Sequence, residues 1–237
     1  MGAKLLFLLE DPRLTLSNLH DPDYLINGGK TIVGALAGGL IAVELIKRYI
    51  GLRTSTGDLY AIPLALGIAI GRIGCFLTGL PDNTYGTASS LSWAINFGDG
   101  IPRHPTQLYE TAFLLLLIPF LYLMLKRAVI LSEFAARKAE GNKSKDPMSP
   151  NTVAGSAGNS LPVIPHNQLR TRPGDAFKLF MVAYATFRFL CDFIKPYPRI
   201  YLGLGGIQWA CLLLLLYYSS DIARWLRPIY AREAASA

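Results

Sequence analysis

Residues 108–125 read LYETAFLLLLIPFLYLML, with Glu110 as the only charged side chain. A bilayer's hydrocarbon core is crossed by roughly 20 mostly apolar helical residues. Lipid offers no partner to an open backbone N–H or C=O, so such a run spans as a helix or not at all. Four more stretches of similar character flank it, at about 31–50, 59–79, 176–194 and 204–222. The expected fold is all-α, a polytopic membrane helix bundle of five full transmembrane helices plus an N-terminal helix fragment.

Composition agrees. The 237 residues are 51% hydrophobic and 16% charged, with a mean hydropathy of +0.33, outside the range of an ordinary soluble domain of this length. A formal net charge of +7 raises the question of nucleic acid, yet the basic residues sit in short clusters beside the apolar runs, and no nucleic-acid partner is expected. The positive-inside rule orders them. With Lys47, Arg48 and Arg53 in the cytoplasm, fifteen Lys/Arg fall inside, six fall outside, and Arg72 and Arg188 stay within the spans. The C-terminus is then cytoplasmic. Cys75, Cys191 and Cys211 lie inside apolar runs without ligand-like spacing, which supports neither a disulfide framework nor zinc. No metal and no cofactor are expected.

Along the chain, residues 1–10 read MGAKLLFLLE, expected to be the last turns of a helix whose beginning precedes Met1. Gly34/Gly38 and Gly67/Gly71 are each spaced four apart, the pattern of a smooth strip for close helix contact. Pro63 and Pro119 are kinks that membrane helices tolerate. From Lys126 to Asp175 the composition shifts to Ser, Asn, Pro, Gly and charge, which cannot bury a core. Residues 1–237 thus form a single transmembrane domain in which 128–172 is a flexible cytoplasmic loop, with a short helix over 128–140 as an option. There is no internal repeat of the transporter kind.

Ionisable groups at membrane depth are costly and are functional candidates by default. Five stand out: Glu44, Arg72, Glu110, Arg188 and Asp192. Arg72, between Gly71 and Gly74 in GIAIGRIGCFLTG, offers a planar fork of donors suited to phosphate; the plainer alternative is an ion pair with Glu110 or Asp192. Arg188 and Asp192 are four apart in FRFLCDFIKP and share a helix face, so a local pair is the alternative there too. Glu44 beside Lys47 and Arg48 reads as a solvated pair. In GDGIPRHPTQLYE, Arg103, His104, Gln107, Tyr109 and Glu110 gather at a membrane boundary. His104 is a candidate acid or base, histidine being the residue type suited to proton transfer near neutral pH, against a ring that only bonds a loop carbonyl, and Tyr109 is weighed against an interfacial anchor.

GRIGCFLTG, then RHPTQLYE, FRFLCDFIKP and GGIQWACLLLL, resemble in order and spacing the bacterial prolipoprotein diacylglyceryl transferase family, over most of the chain outside 126–172. The resemblance implies a seven-helix, multi-pass enzyme of the bacterial inner (plasma) membrane, with about one and a half N-terminal crossings preceding Met1. It implies transfer of the diacylglyceryl group of phosphatidylglycerol to the lipobox cysteine thiol of a prolipoprotein signal peptide, releasing glycerol phosphate. Arg72 and Arg188 match arginines that hold the lipid phosphate; His104, Gln107, Tyr109 and Glu110 match the outer-loop motif; Gln208 matches a polar position opening the last helix. The implied catalytic set is Arg72, His104 and Arg188, with Lys30, Arg103, Gln107, Tyr109, Glu110, Asp192 and Gln208 binding substrate. Three positions depart from the family: Ala37 stands for a histidine, Cys75 for an asparagine and Leu80 for an acid. Thiol activation then falls to His104 or to Lys30. Ala37 and Leu80 also motivate the alternative of a divergent relative that binds phospholipid or modifies another acceptor. A channel or transporter is disfavoured by an odd helix count, no repeat, and charges gathered at one membrane face.

Overall fold

The computed structural model describes residues 1–27, 29–52, 54–143 and 172–226. Helices occupy all five expected stretches: α4 (Ile32–Tyr49), α5 (Asp58–Thr78), α6 (Thr106–Lys143), α7 (Asp175–Cys191) and α8 (Gly206–Tyr217). Three shorter helices precede them: α1 (Gly2–Glu10), α2 (Pro12–Ser17) and α3 (Pro22–Asn27). α5 and the Thr106–Lys126 part of α6 are long and apolar enough to cross a membrane, and α8 joined to Ser219–Leu226 passes as a span bent by 59°. Among the described residues that makes two such spans, or three with the bent pair, where five are expected. α4 carries Glu44, Lys47 and Arg48 in its last turns, and α7 is 17 residues long with Asp175, Lys178 and Arg188 on it. Helix α6 continues to Lys143, so the expected loop begins as helix; residues 144–171 lie outside the described residues.

The helix ends follow from local chemistry. The Thr31 hydroxyl accepts from Gly34 N–H at 3.3 Å to open α4. Gly79, at φ 72°, closes α5 with a conformation that side chains resist. Asp58 turns its carboxylate to the start of α7, accepting from Gly174 N–H at 2.6 Å and Phe177 N–H at 3.1 Å. Asp175 binds the Arg224 guanidinium at 2.5 and 3.0 Å, and Lys178 reaches Asp221 at 2.9 Å. These contacts tie one end of α7 to the chain that follows α8. Pro63 and Pro119 lie inside α5 and α6 as expected.

α5 packs most closely along α6, α1 along α4, and α7 along α8. The core joins Ala61, Ala65 and Ala69 of α5 with Leu114 and Leu121 of α6, Phe180 and Tyr184 of α7, and Cys211 of α8. One glycine strip performs as expected. A Cβ on Gly34 would sit 2.6 Å from Gly2 O, and one on Gly38 2.9 Å from Gly2 Cα, so the bare backbone is what admits α1. The other does not: at Gly67 and Gly71 a Cβ would meet nothing within 4 Å. The close contact of α5 is made by the alanines, which repeat every fourth residue on a face about 200° around the helix from Gly67, two residues on from Ala65 at 3.6 residues per turn. The all-α expectation needs one small addition, an antiparallel pair of two-residue strands, β1 (Ile95–Asn96) and β2 (Pro102–Arg103). Asn96 Oδ1 closes their turn by accepting from Gly98 and Gly100 N–H at 2.9 and 3.0 Å.

Candidate active site

Three helices deliver charge to one buried point. Near the end of α5, Arg72 brings its Nε to 2.9 Å from Oε2 of Glu110, in the first turns of α6. Near the end of α7, Arg188 brings Nη1 to 3.3 Å from the same oxygen and Nη2 to 3.4 Å from Asp192 Oδ1. The Tyr184 hydroxyl donates to the other Glu110 oxygen at 2.5 Å. Glu110 is 0% exposed, Arg72 6% and Arg188 3%. Charges so placed lose several kcal/mol of hydration each, roughly, and persist only because each is paired. Both sequence alternatives therefore hold as geometry: Arg72 pairs with Glu110, and Arg188 pairs locally with Asp192. Neither pairing uses all the donors.

Buried donors without acceptors are rare in native proteins and call for an explanation. Here three occur together, on α5, α6 and α7. Arg72 Nε is at ion-pair distance from Glu110, but its N–H is not aimed for a hydrogen bond, and Arg188 Nε–H has no acceptor among the described residues either. Gln107, one turn before Glu110 and 1% exposed, has no partner for its amide oxygen or its nitrogen among the described residues. Among the described residues, Arg72 Nη1 meets only the Cys75 sulfur, at 3.9 Å. On the same stretch of α5, a Cβ at Gly71 or Gly74 would meet no atom within 4 Å.

The other sequence candidates fall around this cluster in different ways. Gln208 is buried and committed: its Oε1 accepts from Gly205 N–H at 2.9 Å and its amide nitrogen donates to Phe189 O at 3.5 Å, which opens α8 and ties it to α7. Arg103 is bound to Asp99 at 2.6 Å and lies over the Tyr85 ring at 4.8 Å. The hydrogen bond from Arg103 holds the Asp99 carboxyl below its usual range. His104 Nδ1 lies 3.2 Å from the Tyr109 hydroxyl, which also receives the Trp93 indole N–H at 2.8 Å. The Tyr109 oxygen has two lone pairs, so with the indole N–H on one of them the phenol either donates its hydrogen to His104 Nδ1 or accepts from it. Lys30 is exposed in the segment before α4. Glu44 pairs with Lys47 at 3.2 Å.

Two groups at the site escaped sequence reading. Tyr184 lies four residues before Arg188, and Lys195 seven after it; with Asp192 they follow a helical 4-4-3 spacing that would have placed all four on one face. Lys195 is 3% exposed. Burial first, then the Arg188 and Arg72 guanidiniums, pull its ammonium down to about 7. Glu10 also arrives from α1, its carboxylate accepting from Ile207 N–H at 2.7 Å at the start of α8.

Two apolar grooves run beside α8, of about 680 and 390 Å³. Leu6, Leu9, Ile200 and Trp209 line the first, and Ala37, Leu40, Ile41 and Tyr217 the second. The charge cluster lines neither.

An apolar helix bundle with unaccepted cationic donors at one end defines a multi-pass membrane protein whose site suits an anionic group. The family model for prolipoprotein diacylglyceryl transferase matches residues 1–141. A phosphatidylglycerol–prolipoprotein diacylglyceryl transferase of Methylococcus capsulatus is 32% identical over 230 residues, covering 92% of this chain and 69% of the relative. The Methylocella silvestris protein of the same name is 28% identical over 243 residues, covering 100% of this chain and 73% of its own. That of Oleidesulfovibrio alaskensis is 39% identical over a shorter 100 residues, 41% of this chain and 36% of its own. No solved structure matches. The chain belongs to the prolipoprotein diacylglyceryl transferase family, and it is a transferase.

Proposed function

We propose that this chain transfers the diacylglyceryl group of phosphatidylglycerol to the lipobox cysteine thiol of prolipoproteins, releasing glycerol phosphate. The setting is the outer side of a bacterial inner membrane that α4 to α8 cross, with the C-terminus in the cytoplasm. The names of the relatives support the reaction. The observation that carries it here is the trio of unaccepted buried donors, Arg72 Nε, Arg188 Nε and Gln107 Nε2, around Glu110.

The chemistry is displacement at carbon. The acceptor sulfur attacks the glyceryl carbon bonded to the phosphate ester oxygen; the C–S bond forms, the C–O bond breaks, and its electron pair stays on the departing phosphate. Negative charge grows on that phosphate, so cations fixed beside it lower the barrier. Arg72 and Arg188 take this role, held in place by Glu110, Tyr184 and Asp192 before lipid arrives. Gln107 donates to a phosphate oxygen and accepts from a glycerol hydroxyl. His104, Tyr109 and Arg103 supply further polar groups at the start of α6 and on the loop before it. The grooves beside α8 suit acyl chains.

The test is direct. Purified protein in nanodiscs containing phosphatidylglycerol is incubated with a lipobox peptide, and the thioether product and glycerol phosphate are measured by mass spectrometry. Equimolar product and glycerol phosphate support the reading. Binding of phosphatidylglycerol that depends on Arg72, with the peptide unmodified, would instead identify a lipid-binding relative.

A further inference from the structure

Every thiol transfer needs somewhere to put the thiol proton, and the groups described so far do not supply it. Arg72 and Arg188 cannot act as bases in proteins. Glu110 is occupied by two guanidiniums and a phenol. His104 Nδ1 is engaged with the Tyr109 hydroxyl, Lys30 is exposed in the segment before α4, and position 37 is an alanine.

Lys195 is placed differently. It follows the single turn Asp192–Ile194 that ends α7, and its backbone N–H donates to Asp192 O at 3.2 Å. That turn is fastened to the outer loop: Thr87 N–H donates to Ile194 O at 2.7 Å, while His104 N–H donates to Thr87 O at 3.1 Å. The side chain is thereby held against the bundle. Among the described residues no carboxylate comes within ion-pair distance of its Nζ; its neighbour is the Tyr197 ring, 5.4 Å away. The charged and titratable groups that act on it are Arg188 and Cys191 from α7, Asp192 from the turn, Arg72 from α5 and Glu110 from α6.

We infer that Lys195 is the proton acceptor of the transfer, taking the acceptor cysteine's thiol proton as the C–S bond forms, an assignment that rests on the transferase reading of this site. The amine's lone pair takes the proton, the thiol's electron pair becomes the nucleophile, and glycerol phosphate departs with the electrons of the broken C–O bond. A buried lysine beside two guanidiniums favours its neutral form, which is the form a base requires. Lipid binding then strengthens the base: the phosphate's negative charge offsets the guanidiniums and raises the affinity of Nζ for a proton. The lysine thus has a substantial neutral fraction near neutral pH before the lipid arrives and is a stronger acceptor once it is bound.

The test compares wild type, Lys195→Arg and Lys195→Ala in the nanodisc assay, with phosphatidylglycerol binding measured in parallel. A base role predicts that Lys195→Arg keeps lipid binding within about threefold yet loses roughly 10²–10⁴-fold in kcat. The wild-type rise of kcat/KM with pH through about 7 disappears in both variants, and added methylamine restores part of the Lys195→Ala rate. A role as a phosphate-binding cation predicts the reverse, near-normal turnover in Lys195→Arg with no amine rescue, and that result overturns the inference. Wild-type protein without product rejects the transferase reading itself, which separates the two failures.

Discussion

Arg72 and Arg188 stand on different helices and meet on one oxygen, Oε2 of Glu110, at 2.9 and 3.3 Å. Neither could be moved without disturbing the other, because the carboxylate that neutralises both is itself 0% exposed and anchored by Tyr184. The arrangement fixes the spacing of two forks of donors ahead of any ligand, and preorganised cations cost no reorganisation when charge develops at a leaving group.

Breaking the shared carboxylate should be the most damaging single change in the bundle. Glu110→Ala leaves two buried guanidiniums with one acidic partner, Asp192, and is expected to cost about 3–5 kcal/mol. Tyr184→Phe removes only the hydroxyl that serves Oε1 and should cost about 1–3 kcal/mol. Thermal unfolding of both variants in the same detergent orders them; equal or negligible losses would mean that the cluster is not paired as described.

Gln107 should separate stability from activity. Its amide is buried with both polar atoms unpartnered, so Gln107→Met, of similar volume, should leave the melting temperature unchanged or raise it. If the amide serves the lipid headgroup, the same variant loses on the order of tenfold or more in kcat/KM, since a good hydrogen bond to a charged group contributes about 1.5–3 kcal/mol. A drop in melting temperature with unchanged turnover would assign Gln107 to the fold instead.

The glycines divide as well. At Gly34 any side chain meets the backbone of α1 within 2.6 Å, and Gly34→Leu should destabilise by about 1–3 kcal/mol or release α1, seen as new proteolysis within residues 1–27. At Gly74 a Cβ meets nothing within 4 Å, and the position is about 200° around α5 from Arg72, so Gly74→Leu should leave both folding and turnover intact. Lost turnover in folded Gly74→Leu would mean that substrate passes that face of α5.

The far end of α7 offers a control. Asp175, buried and bound to Arg224, lies about 20 Å along the helix axis from Arg188, at 1.5 Å per residue. Asp175→Asn should lower stability by about 1–3 kcal/mol and leave kcat of the folded fraction unchanged, read by normalising product to folded protein.

Much of this was legible in the sequence, and the illegible parts share a cause. Helices α5 and α6 announce themselves because lipid-length apolar runs have one solution. Arg72, Glu110 and Arg188 stand out because charge inside such runs is expensive. Which faces meet is another matter: Gly67 and Gly71 have the same spacing as Gly34 and Gly38, yet the alanines make the contact on α5, since spacing gives periodicity but not direction. Gln208 looks like a substrate ligand from its position, but its hydrogen bonds are spent on opening α8. Lys195 lies just past the apolar run, where the sequence reads as outer loop; a three-residue turn carries it back against the bundle, and no apolar run marks that turn. The β1–β2 pair is too short for alternation to show.

The account stands most directly on Arg72. In nanodiscs with phosphatidylglycerol and a lipobox peptide, Arg72→Gln keeps nearly the size of the side chain and, with Arg188 and Glu110 still paired, should fold. The expected result is a fall of roughly 10²–10³-fold in glycerol phosphate release together with weakened phosphatidylglycerol binding. Folded Arg72→Gln that binds phosphatidylglycerol and releases glycerol phosphate at the wild-type rate would contradict it.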